Sequence, residues 1–295
     1  MKGVRKILEY WKPLKDKNGY VYSCDMVRLS LEFRRDELKE INGYLERPDR
    51  VDIKSYPQNL TEFKYRYMYS IDYGRSTLIL GLGFNGCKRE DSVKGFIEYN
   101  PNKCMGNPQC ENDLQYLLSR TVAYEVVRYD LAIDIPYDRE NVHMIKDNRK
   151  FSLEMKSYAS RTEYLGQRNT PGRIKVYNKT VESDLDYSLT RVEVTMGGLE
   201  NVPGQFEQYM PTIWVDEPQK SFTDLDELSN TQQVMVNLLK DIANPEYYLK
   251  QLNYHMRKKI EPYIMGDNAQ LSFDTKQVFC IVANLRDLFK SCALY

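Results

Sequence analysis

The chain has 295 residues, 42% of them hydrophobic, with 42 basic and 42 acidic side chains and a formal net charge of zero. That size is ample for a core and allows one large domain or two small ones. The charge balance excludes a generic polyanion binder but leaves a local basic stripe open. No apolar run of about 18 residues predicts a membrane span, and the opening MKGVRKILEYWKPLKDKNGY is too polar for a signal peptide.

In chain order, residues 26–33 (MVRLSLEF) alternate and predict a strand, and residues 35–46 predict a helix. Residues 63–73 and 76–84 predict strands, with Asn85-Gly86 as a turn. Residues 95–99 form a short strand ending in Asn100-Pro101, residues 102–112 a loop, and residues 113–125 a helix with Asp113 near its start. Further strands are expected at 128–135, 151–156, 163–167, 173–179 and 189–196, with Thr170-Pro171-Gly172 as a turn. Residues 201–217 look irregular. Helices follow at 223–242, with Asp224 near its cap, at 245–264, and at 276–289. The order predicts an α+β fold on antiparallel sheet, with ferredoxin-like or RNA-recognition-motif-like units and a helical C-terminal part.

Several chemistries are thin on the ground. Cys24, Cys87, Cys104, Cys110, Cys280 and Cys292 lack paired metal-ligand spacing, so reduced thiols are expected and a zinc site is not. The two histidines, His143 and His255, are far apart, so no His-x-His metal clamp exists. Packing in sheets accounts for most of the 24 tyrosines.

Three strands carry one core face and one charged face, because side chains two apart share a face. In residues 173–179 (RIKVYNK), Arg173, Lys175, Tyr177 and Lys179 lie together, a tyrosine among cations that would bind phosphate and lower its pKa. A solvated strand face with an ordinary tyrosine is the plainer reading of that segment alone. In residues 128–135, Arg128, Asp130, Ala132 and Asp134 share a face, the two aspartates roughly 13 Å apart along the strand. In residues 189–196, Arg191, Glu193 and Thr195 share one. If the strands are neighbours, the combined surface suits phosphodiester cleavage. Acids would hold a hard divalent ion, tyrosine would attack, and cations would hold phosphates.

At these residues the sequence resembles the pT181-type initiators of rolling-circle plasmid replication and related conjugative-element relaxases that lack the His-x-His clamp. The matching elements are Tyr164-Leu165-Gly166-Gln167-Arg168, then Arg173-Ile174-Lys175-Val176-Tyr177-Asn178-Lys179 with Glu182. Arg128–Asp134 (RYDLAID), Arg191–Val194 (RVEV) and Phe96–Lys103 (FIEYNPNK) add to it, and Gln167 stands where the family has serine. The resemblance implies a DNA nickase and strand transferase with Tyr177 as nucleophile, giving a 5′-phosphotyrosine. It also implies a Mg2+ or Mn2+ ion held by Asp130, Asp134 and Glu193, with Asp25 as an outside candidate. Tyr164 is the rival nucleophile. DNA contacts are expected at Arg128, Arg168, Arg173, Lys175, Lys179 and Arg191, and at Arg257 and Lys258 in the basic stretch YHMRKK. The expected setting is cytoplasmic: a homodimer acting on double- and single-stranded origin DNA with a host superfamily 1 helicase. A relaxase or a non-catalytic DNA-binding protein are the alternatives. The division expected is an N-terminal arm at 1–24, a nicking domain at 25–200, and a helical region at 201–295 for origin recognition or dimerisation.

Overall fold

The computed structural model describes the chain apart from residues 1–11, 49, 51, 57–64, 85–90, 105, 150, 158–159, 218–224, 226, 241, 243–244, 265–266 and 293–295. Its backbone is organised by two long neighbouring strands. After β1 (Leu14–Lys15), β2 (Val21–Arg34) alternates over 14 residues and buries Tyr22, Cys24, Val27, Leu29, Leu31 and Phe33. The buried parity changes between Cys24 and Val27 because the register slips between Cys24 and Met26, a bulge that leaves Asp25 as the extra residue. Helix α1 (Glu37–Leu45) starts at Asp36, whose side chain accepts from the Glu37 amide.

Strands β3 (Ile53–Tyr56), β4 (Tyr67–Asp72), β5 (Thr77–Phe84) and β6 (Ser92–Tyr99) follow. The expected loop at 102–112 is instead largely helical. Helix α2 (Pro101–Cys104) precedes α3 (Pro108–Ser119), where the Asn107 side chain caps the Gln109 and Cys110 amides and Pro108 takes the first turn. Asp113 therefore lies inside α3 rather than near its start. The chain then enters β7 (Thr121–Ile135), earlier than the expected strand start at 128. Next come β8 (Val142–Met144), β9 (Ser152–Ser157), β10 (Ser160–Leu165), β11 (Ile174–Asn178), α4 (Lys179–Ser183) and β12 (Thr190–Met196). Residues 201–217 hold α5 (Val202–Tyr209) and β13 (Ile213–Glu217), so that stretch is ordered rather than irregular. The expected helices resolve into α6 (Asn230–Lys240), α7 (Pro245–Leu249) and α8 (Tyr254–Ile264), the last begun by Asn253 accepting from the Met256 amide. β14 (Asp267–Gln270) and α9 (Thr275–Cys292) complete the chain. The turn expected at Asn85-Gly86 and the cap expected at Asp224 lie outside the described residues.

The main sheet runs β3-β4-β5-β6-β2-β7-β12-β11-β10-β9, with β1 beside β2 and antiparallel pairing throughout. Within it β2, α1, β5, β6, α3 and β7 follow β-α-β-β-α-β order with the strands arranged β5-β6-β2-β7, the ferredoxin-like topology. Among the described residues one such unit is present. Beyond β7 the strands continue as a meander, so the fold is α+β on antiparallel sheet with a helix-rich C-terminal part.

The chain divides into two units, each assembled from more than one stretch of sequence. One unit comprises Met1–Pro136, Asn148–Met210 and Asp274–Tyr295, and the other Tyr137–Asp147 and Pro211–Phe273. Strand β1 and the start of β2 belong to the first unit, where α5 packs on β12 and α9 on α5 and β2. The second unit holds the sheet β14-β13-β8 and helices α6–α8 around Leu228, Val236, Leu239, Leu249 and Ile260. Among the described residues no helix is long and apolar enough to cross a membrane.

Candidate active site

The three charged strand faces do meet. β7, β12 and β11 are consecutive neighbours, and cross-strand partners in one row share a face. One row reads Tyr177, Arg191, Asp134; the next reads Lys175, Glu193, Ala132; Thr195 and Asp130 follow. The alternate residues Ile174, Val176, Val192, Val194, Leu131 and Ile133 are fully buried on the opposite face. Burying that apolar set pins the register, and a slip of one residue would turn every charged group inward.

Tyr177 is buried, and its hydroxyl donates to Glu193 Oε1 at 2.7 Å. Lys175 Nζ lies 3.6 Å from Glu193 Oε2 and 3.6 Å from the centroid of the Tyr177 ring. Lys179 Nζ, 6.0 Å from that centroid, is paired with Glu182. The expectation that cations lower the Tyr177 pKa is corrected here. Burial and then the negative charge of Glu193 push it well up, and Arg191 offsets only part of this. The tyrosine is held as a neutral phenol, hydrogen-bonded to the Glu193 carboxyl. Glu193 is itself pushed above its ordinary value, by burial first, with Asp25 adding and Lys175 opposing.

Arg191 organises the acids. It grips Asp134 with two hydrogen bonds, Nε to Oδ1 at 2.5 Å and Nη2 to Oδ2 at 2.8 Å, and reaches Asp25 Oδ1 with Nη1 at 3.1 Å. Asn100 Nδ2 donates to the same Asp25 oxygen at 3.0 Å. Burial raises the Asp25 pKa, but Arg191 and the Asn100 bond outweigh it and the net shift is downward. Asp130 is different. Burial, Asp25 and Glu98 hold its pKa up against Thr195 and Arg128, and its Oδ1 is buried without a hydrogen-bond partner among the described residues.

The acids expected to hold a metal are therefore not equivalent. Among the described residues no group of three His, Cys, Asp or Glu side chains is arranged to hold an ion. Asp134 is taken by Arg191, and Glu193 by Tyr177 and Lys175. Asp130 fits a hard cation best, with an orphaned oxygen and a carboxylate that neighbouring acids destabilise. Magnesium commonly uses only one or two protein carboxylates and fills its shell with water and substrate phosphate. Asp130 with Asp25 supplies that donor chemistry.

The other expected residues have partners of their own or lie exposed. Arg128 Nη2 and Arg28 Nη1 share Glu98 Oε2, at 3.0 and 3.1 Å. Tyr164 pairs across from Lys175, with the Arg173 guanidinium 4.8 Å from its ring centroid. Arg168 is exposed in the turn after β10. Arg257 and Lys258 lie on α8 of the second unit, Arg257 Nε 3.6 Å from Glu261 and Lys258 Nζ 5.9 Å from the Tyr254 ring centroid. Asn100 was missed, although an Asn-Pro step ending a strand signals a side chain free to cap or brace. Arg28 had no signal beyond its place opposite Arg128, which depends on strand pairing.

No family model and no curated protein matches the chain. It is similar to the solved structure of a rolling circle replication initiator protein from Geobacillus stearothermophilus. The TM-score is 0.39 and the identity 13%, over 70% of this chain and 91% of that one. So distant a likeness leaves function to be argued from the site itself.

Proposed function

We propose that this chain initiates rolling-circle plasmid replication by nicking one strand of origin DNA through Tyr177. The observation that carries the reading is the 2.7 Å hydrogen bond from the Tyr177 hydroxyl to Glu193, on a face flanked by Lys175, Lys179 and Arg173. The sequence resemblance puts its nucleophile at the same residue. Tyr177 oxygen attacks the scissile phosphorus as Glu193 takes its proton. The P–O3′ bond breaks, leaving a 5′-phosphotyrosyl ester and a 3′ oxygen that takes up a proton as the hydroxyl. The reverse reaction reseals the strand. Lys175 stands where negative charge develops, and Arg173 and Lys179 suit flanking phosphates. Arg191 is a positioning residue for Asp134 and Asp25. Asp130 and Asp25 would hold a Mg2+ or Mn2+ ion, which when bound polarises a phosphate oxygen. In this role the chain would act in the cytoplasm as a homodimer on double- and single-stranded origin DNA, with a host superfamily 1 helicase unwinding from the nick.

The test is nicking of a supercoiled plasmid carrying the DNA that surrounds this gene, with magnesium or manganese against EDTA. Metal-dependent nicks with protein on the 5′ end, absent in Tyr177→Phe, are expected. DNA binding without any nick or adduct would sink the proposal in favour of a non-catalytic binder.

A further inference from the structure

We infer that Leu153 and Met155 on β9 form an apolar shelf that seats unpaired nucleobases beside the scissile phosphate, an inference that rests on the nicking reading above. β9 is the edge strand of the main sheet, and its alternation is inverted. Its polar Glu154 lies across from Glu163, which pairs in turn with Val176, so Glu154 is on the apolar side of the sheet, held there by Arg161 Nε at 2.7 Å. Its apolar residues point the other way. Leu153 pairs with Tyr164 and then Lys175; Met155 pairs with Thr162 and then Tyr177. Both are therefore on the face that carries the nucleophile, 43% and 55% exposed. A strand that turns its polar residues toward the core side and its large apolar residues toward a charged face does the reverse of what its own folding favours.

The occupant follows from what lies along the row. At one end are the nucleophile and its cations. Two strand spacings away, about 10 Å, are the two apolar side chains. Between them stands Tyr164 with the Arg173 guanidinium over its ring, a pairing that suits bases and phosphates alike. A ligand that places anionic groups at one end and flat apolar groups one or two units away is a single strand of nucleic acid. A duplex turns its bases inward and would present only phosphates to the shelf.

The experiment uses the full chain and single-stranded oligonucleotides tiled across the DNA surrounding the gene. The tightest-binding strand is compared with versions carrying abasic sites, and Leu153→Ser/Met155→Ser is compared with wild type. Both side chains are well exposed, so the variant should fold normally. Wild type should lose about tenfold in affinity for the best-placed abasic version, since covering an apolar side chain with a base contributes about that much. The variant should bind intact and abasic strands equally, at the weaker level. A variant that still discriminates tenfold overturns the shelf. So does a variant whose mass in solution falls relative to wild type, because the patch is then a subunit interface. If wild type discriminates abasic strands but never cleaves, the shelf stands and the Tyr177 chemistry fails.

Discussion

Asp113 and Glu193 are both largely buried carboxylates that accept a hydrogen bond from tyrosine, yet their surroundings are opposed. Asp113, 1% exposed, accepts from Tyr44 at 2.6 Å, Tyr73 at 2.9 Å, and Arg50 Nη1 and Nη2 at 3.0 and 2.7 Å. Every lone pair is used, and the donors come from α1, the segment after it and the residue that follows β4. Such a closed network ties elements together. Glu193 has one phenol and one lysine at 3.6 Å, and its neighbour Asp130 has an oxygen without a hydrogen-bond partner among the described residues. The sheet has left charge uncompensated at one place and completed it at the other. Uncompensated burial is costly to a fold, and it marks where a substrate or ion is expected to complete the site.

The comparison can be broken most sharply at the tyrosines. Tyr177→Phe should lower nicking by at least about 10³-fold while leaving the melting temperature nearly unchanged, measured by plasmid relaxation and thermal unfolding. Equal nicking by the variant would move the nucleophile to Tyr164. At the closed network the effect should be on stability. Asp113→Ala leaves Arg50 paired with Asp52 alone and takes the acceptor from the Tyr44 and Tyr73 hydroxyls, which should cost about 3 kcal/mol, read from denaturant unfolding. A loss under 1 kcal/mol would mean the network does not brace the fold.

Glu193→Gln comes next. Removing the proton acceptor should slow cleavage by about 10²-fold or more. The pH profile distinguishes a base from a prop. Glu193 must be ionised to accept the proton, and its pKa is raised, so wild-type cleavage should fall with decreasing pH at values above the ordinary glutamate pKa. The glutamine variant should lack that acid limb. A parallel fall in both enzymes would remove Glu193 from the proton path. The smallest effect is expected at Asp130, whose raised pKa means that the folded state binds its proton more readily than the unfolded chain. Its ionised form therefore destabilises the fold above the raised folded-state pKa, and this penalty fades as pH falls to the ordinary aspartate value. Asp130→Asn should stabilise the protein by on the order of 1 kcal/mol near neutral pH and by little in acid, while reducing metal-dependent nicking. A destabilised variant at neutral pH would show Asp130 to be a structural partner.

Much of the site was legible from periodicity. In residues 173–179, 189–196 and 128–135 the alternation alone sorted Tyr177, Lys175, Glu193, Arg191, Asp130 and Asp134 from the apolar residues between them. Helix α2 and the first turns of α3 were missed because Pro101, Asn107 and Pro108 read as loop residues, whereas here Asn107 caps and Pro108 opens the helix whose later part was expected from residue 113. The α7–α8 break was missed because helical spacing persists across residues 250–253 while Asn253 starts a new cap.

The sequence by itself determined which side chains can share a face, because strand geometry fixes a two-residue period wherever one face must be buried. Only the tertiary structure decided which of those faces adjoin, and so who pairs with whom. It gave Asp134 to Arg191, put a bulge at Asp25, and buried the Tyr177 phenol against Glu193. That burial reversed the pKa shift expected from the local cations, because desolvation and a carboxylate on the neighbouring strand, 16 residues away in sequence, outweigh the lysines beside Tyr177.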